Sequence, residues 1–513
     1  MTDPDVSNIE ETVITPREII VFEPRMEANV PGKLNVGRTI LLSFAFLSAL
    51  AALTYYNISV PIILESLVPV DFLFLGFIPQ MTFINILMTI DNILAVTLQP
   101  FFATLSDRTK SKLGRRMPYI IIGVIGCAIF FGVAPWIEVL AGFVGMLFCY
   151  NIFMAFYRSP ALALVADYTE EKLRSSASGL QQLIANIGTI VAFGVPIIIG
   201  FFISTEMDKK ARDVLISKIG FPVVSVVMLI CLGVLVIATR ETPTGKGFFK
   251  LSDQKIGIDC MTFERMTNEQ LPDECQNGDS SAKRGMAFFR IFKKEYSSIL
   301  VLFLAVFFWF AAFGAIEANF SLLGTFYYGL NMDRTPLLGL VYPISMIAAS
   351  LPTGLIGRKF GRKKTLYLCL GMLIVCISII SFVVIPLKSI AGLAVVMAVV
   401  GFFWMGVIVN TFPIVWKLCP ADEISTFTGI YYTFNQAAAI LGPILMGIIL
   451  DIAEPSMGVD KYKFLYPFAL ACVVIALIFF IFVRGGEATD QEEEEEEEEE
   501  EEPEEELLEE KSE

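Results

Sequence analysis

Three ionisable residues stand inside stretches that are otherwise almost wholly apolar: Asp91, Arg158 and Glu317. An ionised side chain at the centre of a bilayer costs roughly 2.5–3.5 kcal/mol on insertion scales, so such residues usually serve a pathway or a pair. Asp91 lies half-way along its run, four residues before Ala95 and so close to the same helical face. A carboxyl group there can take up a proton when its surroundings dry and release it when water or an arginine arrives. The rival reading is a permanent ion pair, or a cap made with Asn92. Glu317, within Ala315-Ile316-Glu317-Ala318-Asn319, suits cation coupling or ligand binding, with a buried hydrogen-bonded carboxylate as the alternative. Arg158, just before Pro160, can orient a ligand. It can equally snorkel to the surface or pair with an acid there, and this second role fits its position better.

Other chemistry is excluded by residue type. The chain has no histidine, which removes Ser-His-Asp and Cys-His catalysis, His-ligated metals and a histidine pH switch. Most of the nine cysteines sit in apolar runs (Cys127, Cys149, Cys231, Cys369, Cys376, Cys472), where they behave as small hydrophobes. Cys260 and Cys275 share one polar insertion without a CxxC, and no disulfide framework is visible. There is no P-loop, and no polar segment is long enough for a catalytic core. The expectation is a protein that is not an enzyme, with no catalytic residue, no metal site, no cofactor and no nucleic-acid partner.

The elements that hold these residues are membrane spans. The chain of 513 residues is 55% hydrophobic and 18% charged, with a mean hydropathy of +0.66. Its apolar runs reach about 20 residues, the length that crosses a hydrocarbon core of ~30 Å. They are continuous rather than alternating, which favours helices over barrel strands. Spans are expected near 38–63, 79–105, 119–140, 143–166, 177–204 and 219–239, then 298–326, 335–357, 365–386, 389–416, 426–452 and 464–483. The fold class is therefore an all-α membrane protein of twelve transmembrane helices. Its parts are a cytoplasmic N-terminal segment (1–37), a six-helix bundle (38–239), a cytoplasmic central loop (240–297), a second six-helix bundle (298–483) and a Glu-rich tail (484–513). Residues 1–37 lack the basic region and short apolar core of a signal peptide.

The formal net charge of −15 belongs to the tail: Glu487–Glu513 holds 19 acids and one lysine, and the rest of the chain is close to +3. Such a run repels itself and solvates; a basic partner is the rival use. Elsewhere, Lys and Arg cluster after span 2 (Arg108, Lys110, Lys112, Arg115, Arg116), after span 8 (Arg358, Lys359, Arg362, Lys363, Lys364) and in 240–297. The positive-inside rule puts these, and both termini, in the cytoplasm. Lys209, Lys210, Arg212 and Lys218 are an exception on the other side.

The two basic turns also form a repeat. Gly114-Arg115-Arg116 recurs as Gly361-Arg362-Lys363, and Ser175-Ser176-Ala177-Ser178-Gly179, at the start of span 5, as Ser425-Thr426-Phe427-Thr428-Gly429 at the start of span 11. Two six-helix units in tandem point to a carrier that rocks about a site at the bilayer midplane.

Residues Gln99–Pro118 read QPFFATLSDRTKSKLGRRMP. They resemble the span 2–3 signature of the glycoside–pentoside–hexuronide:cation symporters, a family of the major facilitator fold, and within it the sucrose/proton branch; Ala103 and Met117 depart from the pattern. Tyr157-Arg158-Ser159-Pro160 to Asp167 and Arg174 to Gly179 resemble spans 4–5 of that branch. In the second half only Gly354-x-x-Gly357-Arg358-Lys359-x-Gly361-Arg362-Lys363 matches, with Gly357 replacing the usual aspartate, which implies a weaker gate there. The resemblance implies uptake of a sugar or glycoside driven by a cation, in a multi-pass carrier of the cell membrane that can work as a monomer. Melibiose-type relatives bind sodium with two span-2 aspartates; those positions here are Ala95 and Gln99, which favours protons. Asp91 and Glu317 become the coupling residues. Asn57, Asn151, Asn319, Asn410 and Gln436 supply amides for hydroxyls, Trp309 an aromatic face, and Arg158 a charge for the substrate. Asp107, Arg108, Arg115, Arg116, Asp167, Arg174, Arg358 and Arg362 form the cytoplasmic gate through salt bridges and helix-terminus contacts.

Two rivals keep the spans and differ in function. One is a drug/proton antiporter or lysolipid-like amphiphile carrier, the other a non-transporting membrane sensor. Both share one requirement with the symporter. Single cysteines placed in the 108–116 and 358–364 turns must be labelled from the same face of the membrane by an impermeant thiol reagent; labelling from opposite faces would overturn the two-bundle arrangement.

Overall fold

The computed structural model describes residues 35–238 and 296–486, apart from the turn positions 110, 112, 115, 170–172, 205 and 420–423. The N-terminal segment, nearly all of the central loop and the Glu-rich tail lie outside the described residues. The described chain is almost entirely helical, and eleven helical stretches are long and apolar enough to cross a membrane. The last of these, Phe427–Ile481, contains two helices, Ile424–Met457 and Leu465–Ile481, separated by a 3-10 turn over Gly458–Phe464. The described residues thus supply twelve spans. In lipid this is forced by the backbone: every N–H and C=O must be satisfied within its own segment.

Ten spans begin and end within a few residues of their expected limits. Span 6 differs, running Lys209–Ala238 and so starting ten residues before the expected 219. Its first turns carry Lys209, Arg212 and Asp213, whose charge disguises them as loop. They are helical because each finds a partner. Arg212 forms a bidentate ion pair with Asp333 (3.0 and 3.2 Å) and donates to the Gly200 carbonyl. Asp213 accepts the Met332 N–H (2.7 Å), and the Lys209 ammonium reaches the Thr325 carbonyl (3.2 Å). Lys218 pairs with Glu138. Two of the bases that look misplaced by the positive-inside rule, Arg212 and Lys218, are thereby neutralised locally.

Span 2 also differs, as two helical segments, Gln80–Met88 and Ile90–Arg108, meeting at a break at Thr89 (φ −95°, ψ 0°). The break frees the Leu87 carbonyl, which an unbroken helix would pair with the N–H of residue 91. The Tyr56 hydroxyl donates to it instead (3.3 Å).

The internal repeat is visible in packing. Span 1 lies closest to spans 5 and 6 of the first bundle, and span 7 to spans 11 and 12 of the second. Gly188 of span 5 presses on span 1 so closely that a Cβ there would stand 2.3 Å from the Leu47 carbonyl oxygen; Gly442 of span 11 presses equally on span 7, 2.3 Å from the Ala311 carbonyl oxygen. Small residues at such crossings are what let helix backbones approach in lipid, where apolar burial gives no drive for association. Spans 1 and 7 are consequently the enclosed helices: nothing from 38 to 68 is exposed, and from 298 to 328 only Glu317 is.

Gly188→Ala and Gly442→Ala should each cost about 1–3 kcal/mol by overpacking, read as a lowered melting temperature in detergent. Gly145→Ala, where nothing lies within 4 Å of the new methyl group, should leave it unchanged.

Candidate functional site

An exposed glutamate on an otherwise enclosed helix means an internal chamber. Glu317 faces span 1 across the plane between the bundles, where the Asn57 amide donates to its carboxylate (Nδ2 to Oε1, 2.8 Å). Asp91 opens the lower segment of span 2 at the Thr89 break, with one carboxylate oxygen, Oδ1, buried and unpartnered. Arg158 is half-buried and has no direct ion pair among the described residues, yet it lies within electrostatic reach of both Asp91 and Glu317, which also feel each other. Two carboxylates on opposite bundles and one cation therefore share a chamber, an arrangement that leaves one negative charge open to compensation by a proton or metal cation.

The walls are aromatic and amide-bearing. Tyr56 stacks on Tyr150 (5.9 Å, 16°) on the first bundle, and Phe313 on Trp404 (4.9 Å, 15°) on the second. Tyr150 lies within electrostatic reach of Asp91, and Tyr342 of Glu317; Asn151 sits beside Tyr56. The hydroxyls of Tyr150 and Tyr342 and both amide atoms of Asn151 are buried without a partner among the described residues. Unsatisfied polar atoms are costly in a low-dielectric interior. Their concentration around two carboxylates marks a zone with hydrogen-bonding capacity to spare.

The other residues expected at the site are placed differently. Asn319 is fully buried and committed to a reciprocal amide pair with Asn85 of span 2 (2.9 and 3.3 Å). Trp309 is 1% exposed and packed within the second bundle, and Asn410 is 0% exposed, holding the Thr353 and Gly406 carbonyls. Gln436 is half-buried. Residue type and spacing do not single out Tyr150, Tyr342 or Asn85. A tyrosine in an apolar span looks like packing, and only its missing hydroxyl partner gives it away.

Besides Asn57–Glu317, a group of polar contacts between the bundles gathers at one end among the described residues. Asp451, near the end of span 11, accepts the Met81 and Thr82 N–H groups (2.9 and 2.7 Å) and the Thr82 hydroxyl (2.5 Å) at the start of span 2. Asn85–Asn319 seals the next layer, and Arg212–Asp333 with Asp213–Met332 ties span 6 to the span 7–8 turn. All of these lie away from the basic turns 108–116 and 358–364. The molecule is closed at the end opposite those turns.

The family profile described as Major Facilitator Superfamily matches residues 42–443 and, in a second match, 337–511. The chain belongs to the Major Facilitator Superfamily. No curated protein sequence matches it significantly. Among solved structures, a bacterial homolog of the human lysosomal transporter Spinster, in an inward-facing and unoccupied conformation, superposes with a TM-score of 0.60 at 16% identity, covering 88% of this chain and 98% of that one. The nucleoside transporter NupG, as a point mutant, gives 0.61 at 14% identity, with 88% and 100% covered. At such identities the likeness is one of fold: the two-bundle transporter architecture of the superfamily.

The superfamily's paired basic turns are built unequally here. In the first, Arg116 is 6% exposed, pairs with Asp167 (2.9 Å) and donates to the Ser106 hydroxyl (2.8 Å), tying the ends of spans 2 and 4. Arg115 and the side chains of Asp107, Arg108 and Arg174 lie outside the described residues. In the second, Arg358 is exposed and Arg362 half-buried with its Nε unpartnered. At Gly357 a Cβ would fall 1.7 Å from Asn410 Oδ1. Asn410 thus occupies the space an aspartate side chain would need, and ties span 10 to span 8 through the Thr353 carbonyl.

Gly357→Asp should therefore lower the melting temperature by the equivalent of about 1–3 kcal/mol, and adding Asn410→Gly should restore much of the loss. Equal stability of Gly357→Asp and the parent protein would refute the steric account.

Proposed function

We propose that the protein is a secondary active transporter that moves a sugar or glycoside together with a proton by alternating access, with Asp91 and Glu317 as the coupling carboxylates. The observation that carries this reading is the Asn57–Glu317 hydrogen bond, 2.8 Å long, which crosses between the bundles inside the chamber. A hydrogen bond to an ionised group contributes about 1.5–3 kcal/mol, so the protonation state of Glu317 changes how strongly spans 1 and 7 hold together. Protonation of Asp91 and Glu317 lowers the chamber's negative charge, and a neutral hydroxylated ligand then meets Asn151, Tyr150 and Tyr342 as hydrogen-bonding partners and the stacked rings as flat apolar faces. The loaded carrier shifts its facing because ligand and proton bind the two states unequally; nothing else can drive the shift.

The resemblance of residues 99–118 to the sucrose/proton branch, and the absence of a second span-2 acid at Ala95 and Gln99, support sugar and proton as the transported pair. On this reading the protein lies in the cell membrane with the basic turns and both termini in the cytoplasm, and the end closed by Asp451 faces outward.

In proteoliposomes with an inward proton gradient, labelled disaccharides and monosaccharides should accumulate, while nucleosides and lysolipids should not. Asp91→Asn and Glu317→Gln should each reduce uphill accumulation by about tenfold or more, the scale of a lost charge-assisted interaction, and spare downhill exchange. Full proton-dependent accumulation in both variants would sink the coupling assignment; accumulation of nucleosides or lysolipids instead would sink the cargo.

A further inference from the structure

The upper segment of span 2, Gln80–Met88, belongs to the first bundle by sequence but is fastened to the second. It packs more extensively against span 11 than against span 1 or the remainder of its own span. Its N-terminus has no cap of its own, because Pro79 offers no side-chain acceptor. The orphan N–H groups of Met81 and Thr82 are capped instead from the other bundle by Asp451, which also takes the Thr82 hydroxyl. One turn further on, Asn85 pairs reciprocally with Asn319, and both amides are completed by carbonyls of their own helices, Met81 (2.9 Å) and Ala315 (3.0 Å). Gly447 of span 11 makes the close approach possible: a Cβ there would stand 2.9 Å from the Met81 carbonyl oxygen and 2.9 Å from Thr82 Cα.

The other end of the segment is a break in the helix. It stops at Thr89, whose hydroxyl turns back to the Ile86 carbonyl (2.9 Å), and Asp91 follows two residues later. The Leu87 carbonyl is held by Tyr56 of span 1 rather than by the next turn of its own helix.

We propose that Gln80–Met88 is a gating half-helix latched to the second bundle when this end is closed, that Thr89 is its hinge, and that Asp451 is the positioning residue which holds the gate shut. Opening at this end requires the Met81, Thr82 and Asn85 contacts to part together, because one rigid nine-residue helix carries all three. The hinge then transmits the movement to the backbone beside Asp91, so the opening of the gate and the surroundings of the coupling carboxylate change in one step. A cleft of about 390 Å³ flanks the seam, lined by Phe77, Ile78, Thr82, Ile448 and Asp451, so the capping carboxylate borders open space. This inference rests on the alternating-access part of the reading above and not on the cargo.

Hydrogen exchange measured by mass spectrometry on the full chain in nanodiscs tests it without any substrate. Asp451→Asn weakens the cap electrostatically, and Gly447→Ala wedges the seam sterically; the two act by unrelated physics. Both should accelerate exchange about ten- to a hundredfold across residues 80–88 and, in parallel, across 318–334 on the second bundle, while residues 120–131 keep parental protection and report intact folding. Asp451→Glu should restore protection in part. Acceleration confined to the first turn of the segment would make Asp451 an ordinary helix cap, and no acceleration in either variant would remove the gate altogether; both outcomes overturn the proposal. The predicted exchange responses combined with failed sugar uptake would instead uphold the gate and count against the cargo alone.

Discussion

A polar group lying between the two bundles has few choices of partner. Lipid offers none and the low dielectric raises the cost of leaving it bare, so it must bond across the interface or meet water. That constraint divides the interface into two zones. At the end away from the basic turns, Asp451, Asn85, Asn319, Arg212 and Asp213 all bond across or against the other bundle. At the middle, Asp91, Tyr150, Asn151 and Tyr342 are left with unfilled capacity. The first zone can be dry; the second cannot remain so without a ligand or water. A molecule satisfied on one side and unsatisfied within is one that has closed at one end and stays receptive at its centre.

Glu317 belongs to both zones, which gives it unusual leverage. Two residues beyond it on span 7, Asn319 is locked to Asn85. Its own carboxylate is bonded to Asn57 and yet exposed. Any change in its charge acts at once on the chamber and on the seal a turn away. Electrostatic coupling of this kind needs no long pathway, because a single helix carries the ligand contact and the interface contact side by side.

The fold is legible in the sequence because lipid leaves so little freedom. Continuous apolar runs of span length have one solution, and the repeated Gly-Arg-Arg and Gly-Arg-Lys turns fix the pairing of the two halves. The start of span 6 is not legible. Lys209, Arg212 and Asp213 read as loop because their partners, Thr325 and the Met332–Asp333 turn, lie more than a hundred residues away. The site is legible in part. Charges in apolar runs announce themselves, and Asp91, Arg158 and Glu317 do share one region. Asn85 and Asp451 do not announce themselves, since an asparagine near a span end and an aspartate before a turn are common, and only the cross-bundle bonds distinguish them. Trp309 and Asn410 show the opposite failure: residue types suited to a sugar that the helix rotation turns into packing and into a brace between spans 8 and 10.

That brace bears on how the carrier divides its energy between its two ends. In the first half the basic turn is a fixed structure, with Arg116 buried between Asp167 and Ser106. In the second half the corresponding aspartate position is Gly357, and Asn410 fills the vacancy with a bond that stays within one bundle. A contact internal to a bundle is kept in both facing states and so cannot favour either. The same holds in the first half, where the Arg116–Asp167 and Arg116–Ser106 contacts also stay within one bundle. At the opposite end the Asp451, Asn85 and Arg212 contacts cross from one bundle to the other. Contacts that cross between the bundles, unlike these braces, are the ones that can favour one facing state over the other.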